Sequence, residues 1–122
     1  MKTSLIIEDN DDNMVLICRL LGKYGYKTIE AKTGQEGFEM ILEKRPDFVL
    51  LDIQLPDISG IEVLKMIRTN KITKNILVIV VTSYAMSGDR EMLIKAGCDG
   101  YIEKPINPKT FISQIEEVLN RG

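Results

Sequence analysis

The chain contains no histidine. That absence excludes Ser-His-Asp and Cys-His catalysis, most zinc chemistry and any role as a phosphohistidine donor. Any phosphate chemistry must therefore run on carboxylates. Cysteine is scarce too. Cys18 and Cys98 stand apart, without metal or redox spacing, and are expected to be small apolar fillers in a reduced, cytoplasmic protein. Long apolar runs are missing: the longest, Ile76 to Val81, is far too short to span a bilayer. The apolar residues after Lys2 are interrupted at once by Glu8 and Asp9, which is not a signal-peptide pattern. Neither sign of charge is in large excess. Sixteen basic against 18 acidic residues leave a net charge of −2, so no field draws nucleic acid or an anionic membrane. Internal repeats, low-complexity stretches and linkers are absent. At 122 residues the expectation is one domain, 1–122, large enough for a core of its own.

What is present centres on Phe48-Val49-Leu50-Leu51-Asp52-Ile53-Gln54-Leu55-Pro56. Four apolar residues run straight into an aspartate and then a loop closed by Pro56 and Gly60. A continuous apolar run bounded by turn residues reads as a strand buried on both faces, the kind found in parallel sheets covered by helices. An acid at the end of such a strand is costly unless a metal, a cation or hydrogen bonds receive it. Asp52 is accordingly the candidate phosphate acceptor.

The rest of the chain supplies the frame. Thr3 to Ile7 reads as a strand ending in Glu8-Asp9. Asn10 or Asp11 caps a helix to about Tyr24, stopped by Gly25. Tyr26 to Ala31 is a second strand. Thr33, with Glu36 three residues on, opens a second helix in a capping-box pattern; Phe38, Ile41 and Leu42 share one face, and the helix ends before Pro46. A third helix, from about Gly60 to Thr69, turns Ile61, Leu64 and Ile67 inward. Ile76 to Val81, nearly all β-branched, suits a strand at the sheet centre. Ser87 or Gly88 opens a fourth helix ending at Gly97. Gly100 to Glu103 is the fifth strand, and a last helix starts near Pro108 and runs to Leu119. Five alternations of strand and helix mean an α/β fold, a parallel sheet with right-handed crossovers and helices on both faces.

In such sheets ligands bind beyond the carboxyl ends of the strands, where the strand order switches. The first strand ends at Glu8-Asp9, the third at Asp52, the fourth at Thr82-Ser83 and the fifth at Lys104; the second, ending near Lys32, offers nothing similar and reads as an edge. Each residue has an ordinary explanation when taken singly: helix-start acids, a strand-end threonine, a solvated lysine. Their coincidence on one rim is the signal. Three neighbouring carboxylates repel unless a cation sits among them, and oxygen-only ligands favour Mg²⁺. Phosphoryl transfer needs charge neutralised on the equatorial oxygens, which Mg²⁺, Lys104 and the Thr82 hydroxyl can share while Asp52 attacks phosphorus and forms an acyl phosphate.

On these residues the chain resembles the response-regulator receiver domains of two-component signalling. The motifs are Ile7-Glu8-Asp9-Asn10, Leu51-Asp52-Ile53-Gln54-Leu55-Pro56, Val81-Thr82-Ser83 and Lys104-Pro105, and the resemblance spans the whole chain. It is most like single-domain receivers of the cell-division-regulator type, which share the Glu-Asp-Asn start and an Ala-Met pair, here Ala85-Met86. The resemblance implies a flavodoxin-like three-layer α/β/α fold with strand order 2-1-3-4-5. It implies a phospho-accepting signalling switch, not a metabolic enzyme, that catalyses only its own phosphorylation and slow autodephosphorylation. Asp52 would take phosphoryl from a sensor histidine kinase or a histidine phosphotransfer protein. Asp9 would hold Mg²⁺ directly and Glu8 largely through water, beside Asp52 and the Gln54 backbone carbonyl. Thr82 would be the switch hydroxyl, Lys104 would bind a phosphoryl oxygen with a cis bond to Pro105, and Tyr101 would turn inward when Thr82 moves. A downstream protein would read the face of the fourth helix, fifth strand and fifth helix. With no output domain in the chain, the response is expected to be a changed protein–protein contact.

Glu8 stands where many relatives have Asp, and its longer arm still reaches a metal. Gln54 and Tyr84 flank the phosphate where a hydrolytic water must approach, so they are expected to tune dephosphorylation. The first helix carries more apolar residues (Met14, Val15, Leu16, Ile17, Cys18, Leu20, Leu21) than one sheet face needs. The surplus at Val15 and Leu16 is expected to be partly exposed and to dock the phosphohistidine-bearing partner. Two rival functions differ in class. An aspartate-based Mg²⁺ phosphohydrolase would need a second Asp two residues past the first, where this chain has Gln54. A receiver-fold binding module without phosphorylation would lack an acid or the lysine, and none is missing.

Overall fold

Five short strands alternate with five helices: β1 (Thr3–Ile7), α1 (Asp11–Lys23), β2 (Lys27–Ala31), α2 (Gly34–Lys44), β3 (Phe48–Asp52), α3 (Gly60–Thr69), β4 (Leu77–Thr82), α4 (Ser87–Ala96), β5 (Gly100–Glu103) and α5 (Phe111–Leu119). The computed structural model describes residues 2–83 and 87–121, without the side chains of residues 87–89. Local chemistry sets most boundaries. The side chains of Asn10, Thr33 and Ser59 accept the backbone N–H three residues on (2.9, 3.1 and 3.3 Å), which opens α1, α2 and α3. Gly25 (φ +88°) and Gly97 (φ +105°) end α1 and α4 in the left-handed conformation that glycine adopts without penalty.

Several boundaries differ from the sequence expectation. Tyr26 stays outside β2, and its N–H donates back to the Leu21 carbonyl. Ile76 stays outside β4 because its N–H bonds the Thr73 carbonyl. The last helix begins at Phe111, not near Pro108. The Asn107 carbonyl takes the N–H groups of Thr110 and Phe111, and its side chain takes that of Lys109, so a turn precedes the helix. In α3 the buried stripe is Val63, Leu64 and Ile67, while Ile61 is half-buried.

All strands are parallel, in the order β2-β1-β3-β4-β5. The centre is therefore β3, buried at all five positions, and β4 lies one place off it. Alternate strand residues feed two cores. On one face Ile6, Leu50, Ile79 and Val81 pack against α1 and α5 through Ile17, Leu21, Phe111 and Ile115. On the other, Leu5, Ile7, Val49, Leu51 and Val78 pack against α2 and α3 through Ile41, Val63, Leu64 and Ile67. Cys18 sits half-buried beside the first core and Cys98 beside the second; burial raises both thiol pKa values. Among the described residues, no helix is long and apolar enough to cross a membrane.

Candidate functional site

The strand order reverses between β1 and β3, so the crevice of this sheet opens between their carboxyl ends. Register then aligns the polar residues. Ile7 pairs with Leu51, which places Glu8 one step on, beside Asp52; Asp52 pairs with Val81, and Thr82 with Glu103, which brings Lys104 to the same rim. A backbone bond from Lys104 N to the Thr82 carbonyl (2.9 Å) extends the β4–β5 ladder to that point. Glu8, Asp9, Asp52, Gln54 and Lys104 line one cavity, with Asn10, Asp11, Asn13 and Ser83 around its mouth.

Glu8 is 1% exposed and Asp52 5%, whereas Asp9 is exposed. Oxygens of the three carboxylates lie within 4.8 Å of one another. Lys104 Nζ stands between the two buried acids, 2.9 Å from Glu8 Oε1 and 3.3 Å from Asp52 Oδ2. Backbone donors complete the frame: Asn10 N–H donates to Glu8 Oε2 (3.2 Å) and Gln54 N–H to Asp52 Oδ1 (3.2 Å). Burial pushes Glu8 up to about 7; the Lys104 ammonium opposes the shift and the Asp52 charge adds to it. Burial also works to lower Lys104, but the Glu8 and Asp52 carboxylates outweigh it and hold the ammonium above its ordinary value.

One lysine does not balance three carboxylates. Glu8 Oε1 lies at ion-pair distance from Lys104 but off the line of a hydrogen bond, so a buried oxygen is left without an aligned donor. Such a group, next to two more carboxylates, is an oxygen donor set for a hard divalent cation. These residues fit one.

The remaining candidates lie around this centre. Thr82 is 1% exposed at the end of β4, and Ser83, one residue on, lines the cavity. Gln54 is exposed on the β3–α3 loop at the cavity edge. The Lys104–Pro105 peptide is cis. Tyr101 faces away from the acids, half-buried on the α4–β5–α5 side, with the Arg90 guanidinium 4.8 Å from its ring centroid. Val15 is 54% exposed on α1, while Leu16 is half-buried against the α5-side core. Tyr84 lies outside the described residues.

Two features escaped sequence reasoning. Asp11, on the cavity wall, is paired at 2.7 Å with Lys32 from the end of β2, so the edge strand does contribute a charge to the rim. Asp57, in the loop after Asp52, bonds the first turn of α2 through both carboxylate oxygens. An acid after Pro56 was the only sequence cue, and nothing local names a partner so far back in the chain.

The family described as response regulator receiver domain matches residues 4–116. The polar-differentiation response regulator DivK of Brucella anthropi is 43% identical over 118 residues, covering 97% of this chain and 96% of that protein. Its counterpart from Brucella ovis is 42% identical over the same span. Among solved structures, a CheY-like response regulator receiver domain protein from Methanospirillum hungatei superposes with a TM-score of 0.89 at 32% identity, covering 98% of this chain and 94% of that one. A chemotaxis response regulator of Vibrio cholerae reaches 0.92 at 23% identity, covering 97% and 98%, a likeness of fold.

Proposed function

Because the chain belongs to the response regulator receiver domain family of two-component signalling, we propose that residues 1–122 act as one phospho-accepting switch with Asp52 as its covalent site. The observation that carries this reading is Lys104 Nζ held between two buried carboxylates, 3.3 Å from Asp52 and 2.9 Å from Glu8, on a cavity where a third acid converges. An ammonium so placed neutralises a charged group arriving at Asp52 without having to leave water at the moment of reaction.

The step is a phosphoryl transfer. An Asp52 oxygen bonds to phosphorus, the P–N bond to the partner's imidazole breaks, and the imidazole nitrogen keeps the electron pair. Lys104 turns from the carboxylates to a phosphoryl oxygen, and Thr82 offers its hydroxyl to another. Asp9, Asp52 and the Gln54 carbonyl, with Glu8 largely through water, would hold Mg²⁺, which would supply the positive charge that three carboxylates and a phosphoryl group together require. The Gln54 N–H keeps Asp52 oriented through its bond to Oδ1. The same site slowly loses its phosphate to water, at a rate that Gln54 and Tyr84 tune.

The phosphoryl donor is a histidine on a sensor kinase or phosphotransfer protein. The apolar contact for it is on α1, at exposed Val15, two residues past Asn13 of the cavity lining, and at half-buried Leu16. The acyl phosphate biases a pre-existing two-state equilibrium through Thr82 and Tyr101, and a downstream protein reads the altered α4–β5–α5 face.

Beryllofluoride with Mg²⁺ tests the reading. One stable adduct per chain, seen by fluorine NMR and lost in Asp52→Ala, is the expected result. Absence of an adduct, or catalytic turnover of phosphate esters in its place, overturns it.

A further inference from the structure

Asp57 is the single carboxylate of residues 53–59, set apart from the acidic site, and both of its oxygens are bound. Its Oδ1 accepts the N–H of Gly34 at 2.8 Å and its Oδ2 accepts the N–H of Gln35 at 2.9 Å. These are the first two donors of α2, which a helix cannot satisfy internally. The next donor, Glu36 N–H, already belongs to the local cap Thr33. Helix α2 therefore has its own cap and borrows a second one from a distant loop. The charge suits the positive end of the helix dipole, but α2 does not need Asp57 to begin.

The loop does need α2. Residues 53–59 leave β3 and must turn back into α3 without secondary structure of their own. They are pinned at three places. At the base, Gly60 N–H donates to the Ile53 carbonyl at 2.8 Å. There a Cβ would stand 2.4 Å from the Asp52 carbonyl oxygen and 2.6 Å from Ile53 Cα, so only glycine permits the closure. On the flank, Ile58 packs so tightly on Gly34 that a Cβ there would lie 2.6 Å from Ile58 Cγ1. At the tip stands the paired bond from Asp57. Gln54 sits between base and tip, with its N–H on Asp52 Oδ1.

We propose that Asp57 is a positioning residue for the cation site: by clamping the β3–α3 loop to the start of α2, it fixes the Gln54 peptide against Asp52. This inference rests on the metal-binding reading of the acidic cavity given above. Two parallel bonds to rigid helix donors set both the distance and the tilt of the loop, as a bidentate carboxylate does. Without them the loop keeps its base and the Ile58 flank but loses its tip. The Gln54 carbonyl then samples positions that a small octahedral cation, which tolerates little distortion, cannot use. The effect on metal binding passes through the loop and not through any contact between Asp57 and the ion.

Mg²⁺ titration of the full chain by calorimetry tests this, with wild type, Asp57→Ala, Asp57→Asn and Thr33→Ala side by side. Thr33→Ala removes the other cap of α2 and leaves the loop clamp in place. The expected result is about a tenfold rise in the Mg²⁺ Kd for Asp57→Ala, the lower end of what outer partners of metal ligands cost. Asp57→Asn, which retains one acceptor oxygen, falls between Asp57→Ala and wild type. Thr33→Ala stays within about twofold of wild type because the ligand positions are untouched. Amide exchange of Gly34 and Gln35 reports directly whether the clamp has opened. If Asp57→Ala opens those amides and leaves the Kd unchanged, the inference is wrong. The same holds if Thr33→Ala weakens Mg²⁺ as much as Asp57→Ala, since the role is then only to stabilise α2. If wild type binds no Mg²⁺, or Asp9→Asn binds it equally well, the metal reading fails and this inference falls with it.

Discussion

Glu8 is both a ligand candidate and a burden on the fold. A carboxyl that ionises near 4.5 when exposed is pushed up to about 7 by burial. Between those values the unfolded chain gives up its proton before the folded one does. Stability from this group therefore falls as pH rises from 4.5 to about 7 and stays low above it. In metal-free protein, Glu8→Gln should raise thermal stability at about pH 8 by roughly 1–3 kcal/mol and change it little at about pH 4. Added Mg²⁺ should then stabilise wild type more than the variant. Thermal unfolding followed by circular dichroism in the two buffers, with and without Mg²⁺, checks both halves. Asp57 runs the opposite way. The N–H groups of Gln35 and Gly34 hold its carboxyl below the ordinary value, so the clamp on α2 is present at neutral pH. It weakens as acid protonates Asp57, and amide exchange of those two residues should accelerate there.

The proposed function turns on two elements, the β3–α3 loop and helix α1. Gly60 lets the loop fold back onto Asp52, and Gly60→Ala has only backbone to push against. It should cost about 1–3 kcal/mol, as overpacking against an unyielding neighbour does, and a denaturant midpoint shift at constant slope would show it. Helix α1 makes a different test. Met14, Ile17 and Leu21 anchor it in the core, while Val15 faces outward. Val15→Asp should slow phosphotransfer from a phosphohistidine partner and leave labelling by acetyl phosphate intact; equal loss with both donors would sink the docking role. On the same scale, Tyr84→Ala should speed loss of phosphate from Asp52, measured as the decay of labelled protein; unchanged or slower decay would remove Tyr84 from the tuning role.

Two cores lie on opposite sides of one sheet and share β3, so the two faces are expected to unfold as one cooperative unit. Leu50 faces α1 and α5, Leu51 faces α2 and α3, and both are sealed from solvent. Leu50→Ala and Leu51→Ala should each cost about 2–5 kcal/mol, in one transition seen alike by far-ultraviolet dichroism and tyrosine fluorescence. Separate transitions for the two variants would show that the faces unfold independently. The acidic site sits where these layers meet, at the end of the strand they share.

Much of this was legible along the chain because the forces involved are short-ranged. Apolar runs, the caps at Asn10 and Thr33, and the glycines at 25 and 97 act within a few residues, and they placed all five strands and five helices. Strand-end composition singled out Glu8 with Asp9, Asp52, Thr82 and Lys104 because they stand at the ends of four strands. Misplacements fell where a local signal was overruled. Pro108 could begin a helix, but the Asn107 turn came first; Ile61 had the right spacing, but Val63 lay nearer the core. Distance and direction came from register and packing. Strand pairing set Lys104 between Glu8 and Asp52 and turned Tyr101 to the other side, and helix packing left Leu16 half-buried and Val15 exposed. The bond from Asp57 to the start of α2 is of the same kind. It joins segments that no periodicity links, and it exists because the sheet carries both to one rim.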